Sequence, residues 1–451
     1  MTELLSIVLA AGEGTRMRSS MPKVLHPVGG MPIVGHVVRA AIDAGASRVA
    51  LITAPEHETV RQVIGALAPQ VQFFEQAERK GTAHAASMAR PLFETAEGYV
   101  AVTYGDHPLL RSVNFEGVLA RLDAGMDAAI LGFIPVDPTG YGRFITDGER
   151  LLAIREHKDA TEDERKIGLC NACILAFRAP VFRELIDKVQ NNNAQGEYYL
   201  GDLVELANAA GYKVGYAVAP EVDVLGVNDR SQLARAETLF QETQRETFMK
   251  AGVTLKDPAS VYFSWDTQIG QDVTIFPNVV FGPGVKIADG VEIRAFCDIE
   301  DVTIGQGATI GPFARIRGGA ELGADVHLGN FVEVKKSKIG AGTKAGHLSY
   351  LGDAEIGAKV NIGAGTITCN YDGVNKSKTV IEDEVFIGSN NSLVAPVTIG
   401  KGAYTASGST ITKDVEPDAL AVGRARQENK PGYASKLKAR ALAVKAAKAG
   451  K

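Results

Sequence analysis

The sequence predicts two domains of different architecture, an α/β sandwich with a Rossmann-like, mostly parallel sheet followed by a parallel β-helix. The length of 451 residues suits two or three domains of ordinary size. In the first half, apolar runs of strand length alternate with helical patterns, whereas in the second half one aliphatic position recurs every six residues. Glycine marks the boundary, since residues 1–264 hold 23 of the 49 glycines and the shorter segment 265–411 holds another 23.

Composition excludes several classes of protein. With 48 Lys and Arg against 53 Asp and Glu, 45% hydrophobic residues and a formal charge of −5, the chain is neither a disordered segment nor a basic nucleic-acid binder. No apolar stretch reaches the ~18 residues that span a bilayer, and Glu3 stands where a signal peptide carries a base. Four cysteines are too few for a disulfide framework, and Cys170 and Cys173 lack a second pair of zinc ligands. We therefore expect a cytoplasmic enzyme or binding protein that neither inserts into membranes nor binds nucleic acid.

The pattern of the first half predicts βαβ units. Ligands in such sheets bind beyond the carboxyl ends of the strands, so the turns after Leu9 and Thr103 are the expected binding edge. The alternating segments that predict the strands and helices are Leu4–Leu9, Ile33–Ala44, Arg48–Thr53, Glu56–Leu67, Val71–Phe74, Thr82–Arg90 and Tyr99–Thr103.

The second half repeats in hexapeptides from Ile269 to Ile362 and again from Ile381 to Ile411. Neither a helix nor a plain strand has a period of six, whereas each face of a parallel β-helix coil takes six residues with one aliphatic side chain pointing inward. Three hexapeptides close one coil, which predicts roughly eight coils, with glycines at the tight corners.

Three segments fall outside these patterns. Residues 368–378 are polar and turn-rich, and we interpret them as a loop extruded from the coil, with a tolerated insertion as the alternative. Ser231–Met249 has helical spacing. The expected organisation is a first domain over 1–229, a linker helix over 230–250 and a second domain over 251–451. The second domain ends in a basic tail from Lys430, either a solvated end or an anion-binding segment.

The turn after the first strand is a candidate phosphate cradle. Gly12 and Gly14 allow close approach of backbone N–H groups, and Arg16 and Lys23 supply positive charge. The turn lacks both the Gly-Lys-Ser/Thr of a P-loop and the third glycine of a dinucleotide fingerprint, and a simple strand–loop–helix turn remains an alternative. Asp106 follows the strand Tyr99–Thr103 and suits Mg²⁺ held against a polyphosphate, or merely forms a turn.

The segment Lys344–Tyr350 interrupts the repeat with one histidine and one tyrosine. His347 lies two places after the inward Ala345, so it should point outward, where an imidazole can accept a proton at neutral pH. A merely solvated histidine is the alternative. Other polar side chains also leave the repeat pattern, namely Arg317, Lys335, Asn361, Asn370, Tyr371, Ser389 and Arg424.

Several stretches resemble known enzymes. Leu9–Met17 with Pro22-Lys23 is similar to the signature of sugar-nucleotide pyrophosphorylases, and Tyr104-Gly105-Asp106 resembles their metal-binding turn. With the hexapeptide half, the whole chain resembles the bifunctional family that joins an N-acetylglucosamine-1-phosphate uridyltransferase to a glucosamine-1-phosphate acetyltransferase. Further stretches in the same order carry the resemblance: Asp137–Arg143, Glu156–Ala160, Asn191–Tyr199 and His347–Gly352.

For the first half, the resemblance implies a nucleotidyltransferase domain in which the sugar 1-phosphate attacks the α-phosphorus of UTP and pyrophosphate leaves. Lys23 and Arg16 would face the triphosphate, and Asp106 with Asn228 would bind Mg²⁺. Leu9, Ala10, Ala11 and Gly12 would contact the uracil and ribose, and Gln76, Gly81 and Thr82 would complete the base pocket. Gly142, Glu156 and Asn171 would hold the acetamido sugar. Nucleotide or sugar binding is also implied for Lys23, Tyr104, Gly105, Asp106 and Asn228.

For the second half, the resemblance implies a left-handed β-helix that forms homotrimers with acetyltransferase sites between subunits. His347 would be the general base for the amine of glucosamine 1-phosphate, which attacks acetyl-CoA, and Glu333 is a candidate to orient it. The product, UDP-N-acetylglucosamine, would feed peptidoglycan and lipopolysaccharide precursors. Substrate and coenzyme contacts are implied for Arg317, Lys335, His347, Tyr350, Asn361, Ala364, Asn370, Tyr371, Ser389, Ser407 and Arg424.

The chain departs from the family's sequence pattern at two places, and two alternative functions are considered beside the one that the resemblance implies. Ala83 and Ala172-Cys173 stand where the family is expected to carry glycine and Thr-Gly, which affects the fit of base and sugar rather than the reaction class. One rival is a hexose-phosphate nucleotidyltransferase whose β-helix is only structural or regulatory. His347 and the loop 368–378 argue against it. The other is a non-catalytic relative, and the presence of Arg16, Lys23 and Asp106 argues against that.

Overall fold

The computed structural model describes residues 2–449, which form two compact units. The first unit ends at Lys250 and also includes Tyr262–Thr267. The second consists of Ala251–Val261 and the chain from Gln268 onwards.

The first unit is built on a sheet that has nine strands within the described residues. Seven of the nine strands run in one direction, whereas Cys170–Arg178 and Arg150–Arg155 run in the opposite direction, so four neighbouring pairs are parallel and four are antiparallel. The expected α/β sheet with most strands in one direction is therefore confirmed. In spatial order the strands are Val71–Glu75, Arg48–Thr53, Leu4–Leu9, Tyr99–Tyr104, Cys170–Arg178, Ala128–Phe133, Val214–Ala219, Arg150–Arg155 and Arg143–Asp147. A separate hairpin pairs Pro27–Val28 with Met31–Pro32.

Helices cover both faces of this sheet, and each face has its own buried apolar cluster. The α-helices are Ile33–Asp43, Glu58–Leu67, Thr82–Ser87, Arg90–Phe93, Ser112–Asp123, Glu162–Arg165, Ala179–Leu185, Leu203–Ala209 and Arg230–Lys250. The 3₁₀ turns are Thr15–Met17, Lys23–Leu25, Ile186–Lys188, Leu200–Asp202 and Glu221–Val224.

One predicted helix is interrupted. The pattern over Thr82–Arg90 predicts a single helix, but the helix stops at Ser87 and a new one begins at Arg90. Pro91 is the physical reason, because it has no N–H to donate to the preceding turn and disfavours a helical conformation just before it. The helix Arg230–Lys250 does form where helical spacing indicates it, and it buries Ala236, Phe240 and Phe248.

The second unit is a left-handed parallel β-helix, as predicted. Its three faces are parallel sheets whose strands stack one coil above the next. One face holds Thr254–Leu255, Thr274–Ile275, Glu292–Ile293, Thr309–Ile310, His327–Asn330, Lys344–His347, Asn361–Ile362, Phe386–Ile387, Tyr404–Thr405 and Leu420–Ala421. The second holds Gln268–Ile269, Val285–Ile287, Val302–Ile304, Ala320–Leu322, Lys338–Ile339, Ala354–Ile356, Thr379–Ile381 and Val397–Ile399. The third holds Val280–Phe281, Asp298–Ile299, Arg315–Arg317, Glu333–Lys335, Tyr350–Gly352, Ile367–Cys369, Ser392–Val394 and Thr410–Ile411.

The hexapeptide positions fill the interior of the coil. Every recurrent residue from Ile275 to Ile411 is buried, and only Ile269, in the first strand of its face, is partly exposed. Corners were expected to carry glycine, but one column of corners carries bulky side chains in the left-handed region: Phe296, Phe313, Phe331 and Leu348, at φ 63°, 55°, 57° and 50°. Their side chains project into solvent, so the corner needs no space inside the coil.

The loop and the tail have simple forms. The extruded segment spans residues 370–378, between Ile367–Cys369 and Thr379–Ile381, and most of it is exposed. The basic tail forms a helix, Tyr433–Ala449, with every residue exposed. Among residues 2–449, no helix combines the length and the apolar character that a membrane crossing requires.

Candidate functional sites

A pocket of about 350 Å³ opens at the carboxyl ends of two parallel neighbours, Leu4–Leu9 and Tyr99–Tyr104. Leu9 pairs in register with Tyr104, which brings the two turns predicted as the binding edge to one place. Of the residues expected to bind nucleotide, the pocket is lined by Leu9, Ala10, Ala11, Gly12, Lys23, Gln76, Gly81, Thr82, Tyr104 and Asp106. Gly105 adjoins them, and its backbone N–H donates to Leu9 O at 2.8 Å.

Gly81 has a backbone that only glycine tolerates. Its φ is +116°, and a Cβ atom there would lie 2.5 Å from the carbonyl oxygen of Tyr198. The next residue, Thr82, begins a helix, and its Oγ1 accepts a hydrogen bond from the N–H of Leu200 at 2.9 Å. This corner of the pocket is therefore held by the segment around residues 198–200.

Three polar side chains converge where Lys23 and Asp106 line the pocket. The Nζ of Lys23 donates to Asp106 Oδ2 at 2.6 Å and to Asn228 Oδ1 at 3.1 Å. Burial alone would raise the pKa of Asp106, but His107 and Lys23 outweigh burial and hold that pKa well below its ordinary value. The carboxylate is therefore ionised at neutral pH.

The residues at this point fit a magnesium ion. Asp106 and Asn228 present hard oxygen atoms toward one position, and the Oδ1 of Asp106 is buried without a hydrogen bond even though His107 Nδ1 lies 2.8 Å away. Mg²⁺ is usually held by one or two carboxylates together with substrate phosphates and water. No group of three or more His, Cys, Asp or Glu suitable for a metal occurs among residues 2–449, so the chain itself would supply only part of the coordination.

The three residues expected to hold the sugar form a cluster of their own. The Asn171 N–H donates to Gly142 O at 2.7 Å, and a Cβ on Gly142 would lie 3.0 Å from Glu156 Oε1. Burial, with help from Asp159 and Asp202, raises the pKa of Glu156. The Asn171 Oδ1 atom is buried without a hydrogen bond, which leaves an acceptor for a ligand.

Arg16 lies apart from these groups. It is exposed on the 3₁₀ turn Thr15–Met17 and does not line the pocket. Sequence reasoning also missed residues that do line it, namely Val24, Arg79, Ala85, His107 and Glu197. Arg79 is the most informative of these, because its Nε donates to Ala11 O at 2.9 Å and its guanidinium also pairs with Glu13 and Glu56. In the sequence, its position two residues before Gly81, an expected pocket residue, could have indicated that it lines the pocket.

In the β-helix, His347 is exposed, and one of its ring nitrogens makes a hydrogen bond. Its Nδ1 lies 2.7 Å from Oδ1 of Asn330, which stands directly beside it on the neighbouring strand. An amide oxygen only accepts, so the proton sits on Nδ1 and Nε2 keeps its lone pair. Glu333, the candidate for this orienting role, accepts instead from Arg317 in this chain, because it lies on another face of the coil.

A cluster of cations lies on the face that carries Glu333. Arg317 and Lys335 stand side by side in register, and Lys376 reaches them from the extruded loop. Lys376 and then Arg317 lower the pKa of Lys335, and Asp353 offsets this only in part, which indicates an excess of positive charge around Lys335 even though Arg317 pairs with Glu333. Lys376 was not among the expected residues, although it lies in the loop that the sequence singles out.

The remaining residues of the expected acetyltransferase site fall into two groups along the coil. Tyr350, Asn361, Asn370 and Tyr371 belong to the coils that carry or follow His347, and Asn361 pairs in register with Lys344. Farther along, Asn390 N donates to Ala364 O at 2.7 Å, and the N–H of Ser389 donates to Ser407 Oγ at 3.2 Å. Arg424 approaches this second group, its Cδ lying 3.9 Å from a Cβ built on Gly408.

Comparison with known proteins agrees with both halves. Residues 6–163 match the model of the MobA-like NTP transferase domain, and residues 266–297, 301–336 and 378–413 match the bacterial transferase hexapeptide model. The chain is 51% identical to Bifunctional protein GlmU of Agrobacterium fabrum over 98% of both chains. It is 48% identical to the proteins of that name from Bartonella quintana, over 98% of both chains, and Paramagnetospirillum magneticum, over 99% of both.

The fold and the two sites define a nucleotidyltransferase joined to a hexapeptide-repeat transferase in one polypeptide. The chain belongs to the GlmU family of bifunctional proteins. The prediction of a bifunctional transferase with a uridyltransferase half and an acetyltransferase half is thereby confirmed.

Proposed function

We propose that the protein makes UDP-N-acetylglucosamine by two reactions at separate sites, acetyl transfer to glucosamine 1-phosphate followed by uridylyl transfer from UTP. The observation that carries the proposal is the division of chemistry between the units. Lys23 and Asp106 line the nucleotide pocket of one unit and meet Asn228 there, and His347 presents a basic nitrogen in the other unit.

In the first unit, an oxygen of N-acetylglucosamine 1-phosphate attacks the α-phosphorus of UTP, and the bond to the leaving pyrophosphate breaks. Lys23 stabilises negative charge that builds up on the phosphates, and Arg16 on its exposed turn assists once the triphosphate is bound. Bound Mg²⁺, held by Asp106 and Asn228, supplies further charge neutralisation. Gly142, Glu156 and Asn171 hold the acetamido sugar, with the buried Asn171 Oδ1 as an acceptor for a sugar or amide donor.

In the second unit, the amine of glucosamine 1-phosphate attacks the thioester carbon of acetyl-CoA. Nε2 of His347 takes the amine proton, the carbon–sulfur bond breaks, and coenzyme A leaves as the thiol. Arg317 and Lys335, joined by Lys376, bind the sugar phosphate because positive charge is in excess around Lys335. Ala364, Ser389, Ser407 and Arg424 form the farther group that contacts the acetyl chain and the coenzyme.

The proposed assembly is a homotrimer through the β-helix. Phe296, Phe313 and Phe331 stack along one corner with ring centroids 4.9 and 5.1 Å apart, yet about half of each side chain is exposed. Exposed apolar ladders of this kind favour association with another protein surface. The ladder continues to Leu348, so a second copy packed on it would lie beside His347 and share its site.

The cytoplasm is the proposed location. Cys170, Cys173, Cys297 and Cys369 all carry free thiols, as expected in a reducing compartment.

The direct test is incubation of the purified protein with glucosamine 1-phosphate, acetyl-CoA, UTP and Mg²⁺. Release of free thiol and of pyrophosphate is followed separately, and both are expected. Omission of acetyl-CoA should stop both signals, and added N-acetylglucosamine 1-phosphate should then restore pyrophosphate release alone. Thiol release without pyrophosphate under these conditions would contradict the proposal for the first unit, and the converse result would contradict it for the second.

A further inference from the structure

Gln76 uses both hydrogens of its side-chain amide inside the protein. Its Nε2 lies 3.2 Å from Gly81 O and 3.1 Å from His84 Nδ1. A carbonyl oxygen only accepts, so the amide atom facing Gly81 must be the nitrogen. Its second hydrogen then points at His84 Nδ1, which must accept it. The ring proton of His84 is therefore on Nε2.

This network leaves one atom of Gln76 for the ligand. Gln76 lines the pocket, and its Oε1 accepts no hydrogen bond from any residue of the described chain. Oε1 of Gln76 therefore provides the base pocket with a hydrogen-bond acceptor. Uracil carries a donor, N3–H, where cytosine has an unprotonated nitrogen acceptor. An acceptor in the pocket favours uracil and is left facing a second acceptor when cytosine binds.

His84 is well placed to maintain this tautomer. It lies on the helix Thr82–Ser87 and also lines a second pocket of about 250 Å³, together with Lys80, Asp187 and Tyr198. The Nε2–H can be hydrated there, while Nδ1 faces Gln76. His84 itself does not line the nucleotide pocket among the described residues, so any effect on the base must pass through Gln76.

We propose that His84 is a positioning residue for base selection: by accepting from Gln76 it holds the amide with its oxygen toward the base, and the site thereby selects UTP over CTP. The inference rests on the proposed uridylyl transfer. Without the His84 acceptor, only the hydrogen bond to Gly81 O at 3.2 Å still holds this orientation, so turning the amide to present its nitrogen, which suits cytosine, becomes easier.

Three variants of the full-length protein test this inference. His84→Ala removes the acceptor. His84→Asn places an amide oxygen where Nδ1 stands, and His84→Gln fills the space but carries its amide at the Nε2 position. The measurement is kcat/KM for UTP and for CTP with N-acetylglucosamine 1-phosphate and Mg²⁺, read as pyrophosphate release. The fluorescence of Trp265, which belongs to the same unit as His84, is the control for folding.

The ratio of kcat/KM for UTP to that for CTP is expected to fall about 10-fold to 100-fold in His84→Ala and His84→Gln, the effect of misplacing one buried hydrogen bond. In His84→Asn the ratio should stay close to that of the unchanged protein. Loss of UTP activity with an unchanged ratio in both His84→Ala and His84→Gln would overturn the inference, because it would show a merely structural role. If His84→Ala does not fold, the contrast between His84→Gln and His84→Asn carries the test.

The failure of this inference is distinguishable from failure of the proposed function. An unchanged protein that forms no pyrophosphate from UTP would overturn uridylyl transfer and, with it, this inference. An unchanged protein that uses UTP, with variants of unaltered selectivity, would overturn the role of His84 alone.

Discussion

The ammonium nitrogen of Lys23 lies 2.6 Å from Oδ2 of Asp106, and the same nitrogen lies 3.1 Å from the amide oxygen of Asn228. Lys23 follows the Gly-rich turn, Asp106 ends the neighbouring parallel strand, and Asn228 stands just before the helix Arg230–Lys250. One cation thus joins three distant segments of the chain. The same three side chains would surround the phosphates of a nucleotide and its magnesium ion.

Lys23→Ala is expected to lower uridylyl transfer about 10²–10³-fold, the usual effect of removing one group that stabilises developing charge. Acetyl transfer should be unaffected, because Lys23 belongs to the other unit. Pyrophosphate release measures the effect. Lys188→Ala is the matched control, since Lys188 is exposed and pairs only with Glu184 at the surface. A loss of less than fivefold in Lys23→Ala would remove Lys23 from the mechanism.

Asn330→Ala should reduce acetyl transfer about tenfold or more by releasing Nδ1 of His347 and with it the tautomer that leaves Nε2 basic. Asn330→Asp keeps an acceptor at the same place and should retain most of the activity. Thiol release from acetyl-CoA is the measurement. Equal losses in the two variants would show that the 2.7 Å contact does not orient the base.

Gly81→Ala should abolish most uridylyl transfer, because the new Cβ would meet the backbone of Tyr198 at 2.5 Å and displace the corner of the pocket. Gly125→Ala is the matched control. Gly125 also has a positive φ, +99°, but nothing lies within 4 Å of its Cβ position. It should cost about 1 kcal/mol of strain and leave activity near normal. Similar activity in the two variants would contradict the steric account.

Buried His36 makes the first unit sensitive to acid. Burial lowers the pKa of His36 to about 4 from its ordinary value of 6.5, even though its ring is hydrogen-bonded to Val28 O at 2.8 Å. Between these pH values the unfolded chain binds a proton that the folded chain does not. The free energy of unfolding should therefore fall as the pH drops below 6.5, by about 1.4 kcal/mol per pH unit, and level off near pH 4.

His36→Gln can keep a donor to Val28 O without titrating. The chain has a single tryptophan, Trp265, which belongs to the same unit, so its fluorescence reports urea unfolding there. The urea midpoint of the unchanged protein should fall more steeply with acid than that of the variant. Parallel pH profiles would show that His36 is not the group responsible.

Local pattern was enough to predict much of this molecule. The inward position of every sixth residue follows from the geometry of a coil, and Leu9 and Tyr104 meet because parallel neighbours end at the same edge. The outward position of His347 follows from its offset from the buried Ala345. The repeat, the strand patterns and the offset of His347 are all spacings within a few residues of the chain, and the shared edge of parallel strands brings Leu9 and Tyr104 together.

What sequence reasoning missed depends on contacts between distant segments. Asn330 and His347 are 17 residues apart and meet only through the register of successive coils. Arg79 reaches the Gly-rich turn from a different strand end, and Lys376 approaches Lys335 only because of the path that the loop takes. Glu333 was the expected partner of His347, whereas the three-faced coil places the two residues on different sheets.

The proposed function requires two reaction centres that work independently, and a crossed pair of variants tests this independence most directly. Asp106→Asn and His347→Ala are each assayed for pyrophosphate release from UTP and N-acetylglucosamine 1-phosphate, and for thiol release from acetyl-CoA and glucosamine 1-phosphate. Circular dichroism confirms that each variant is folded. We predict that Asp106→Asn loses only the first activity and His347→Ala only the second. Loss of both activities in either folded variant would contradict the account.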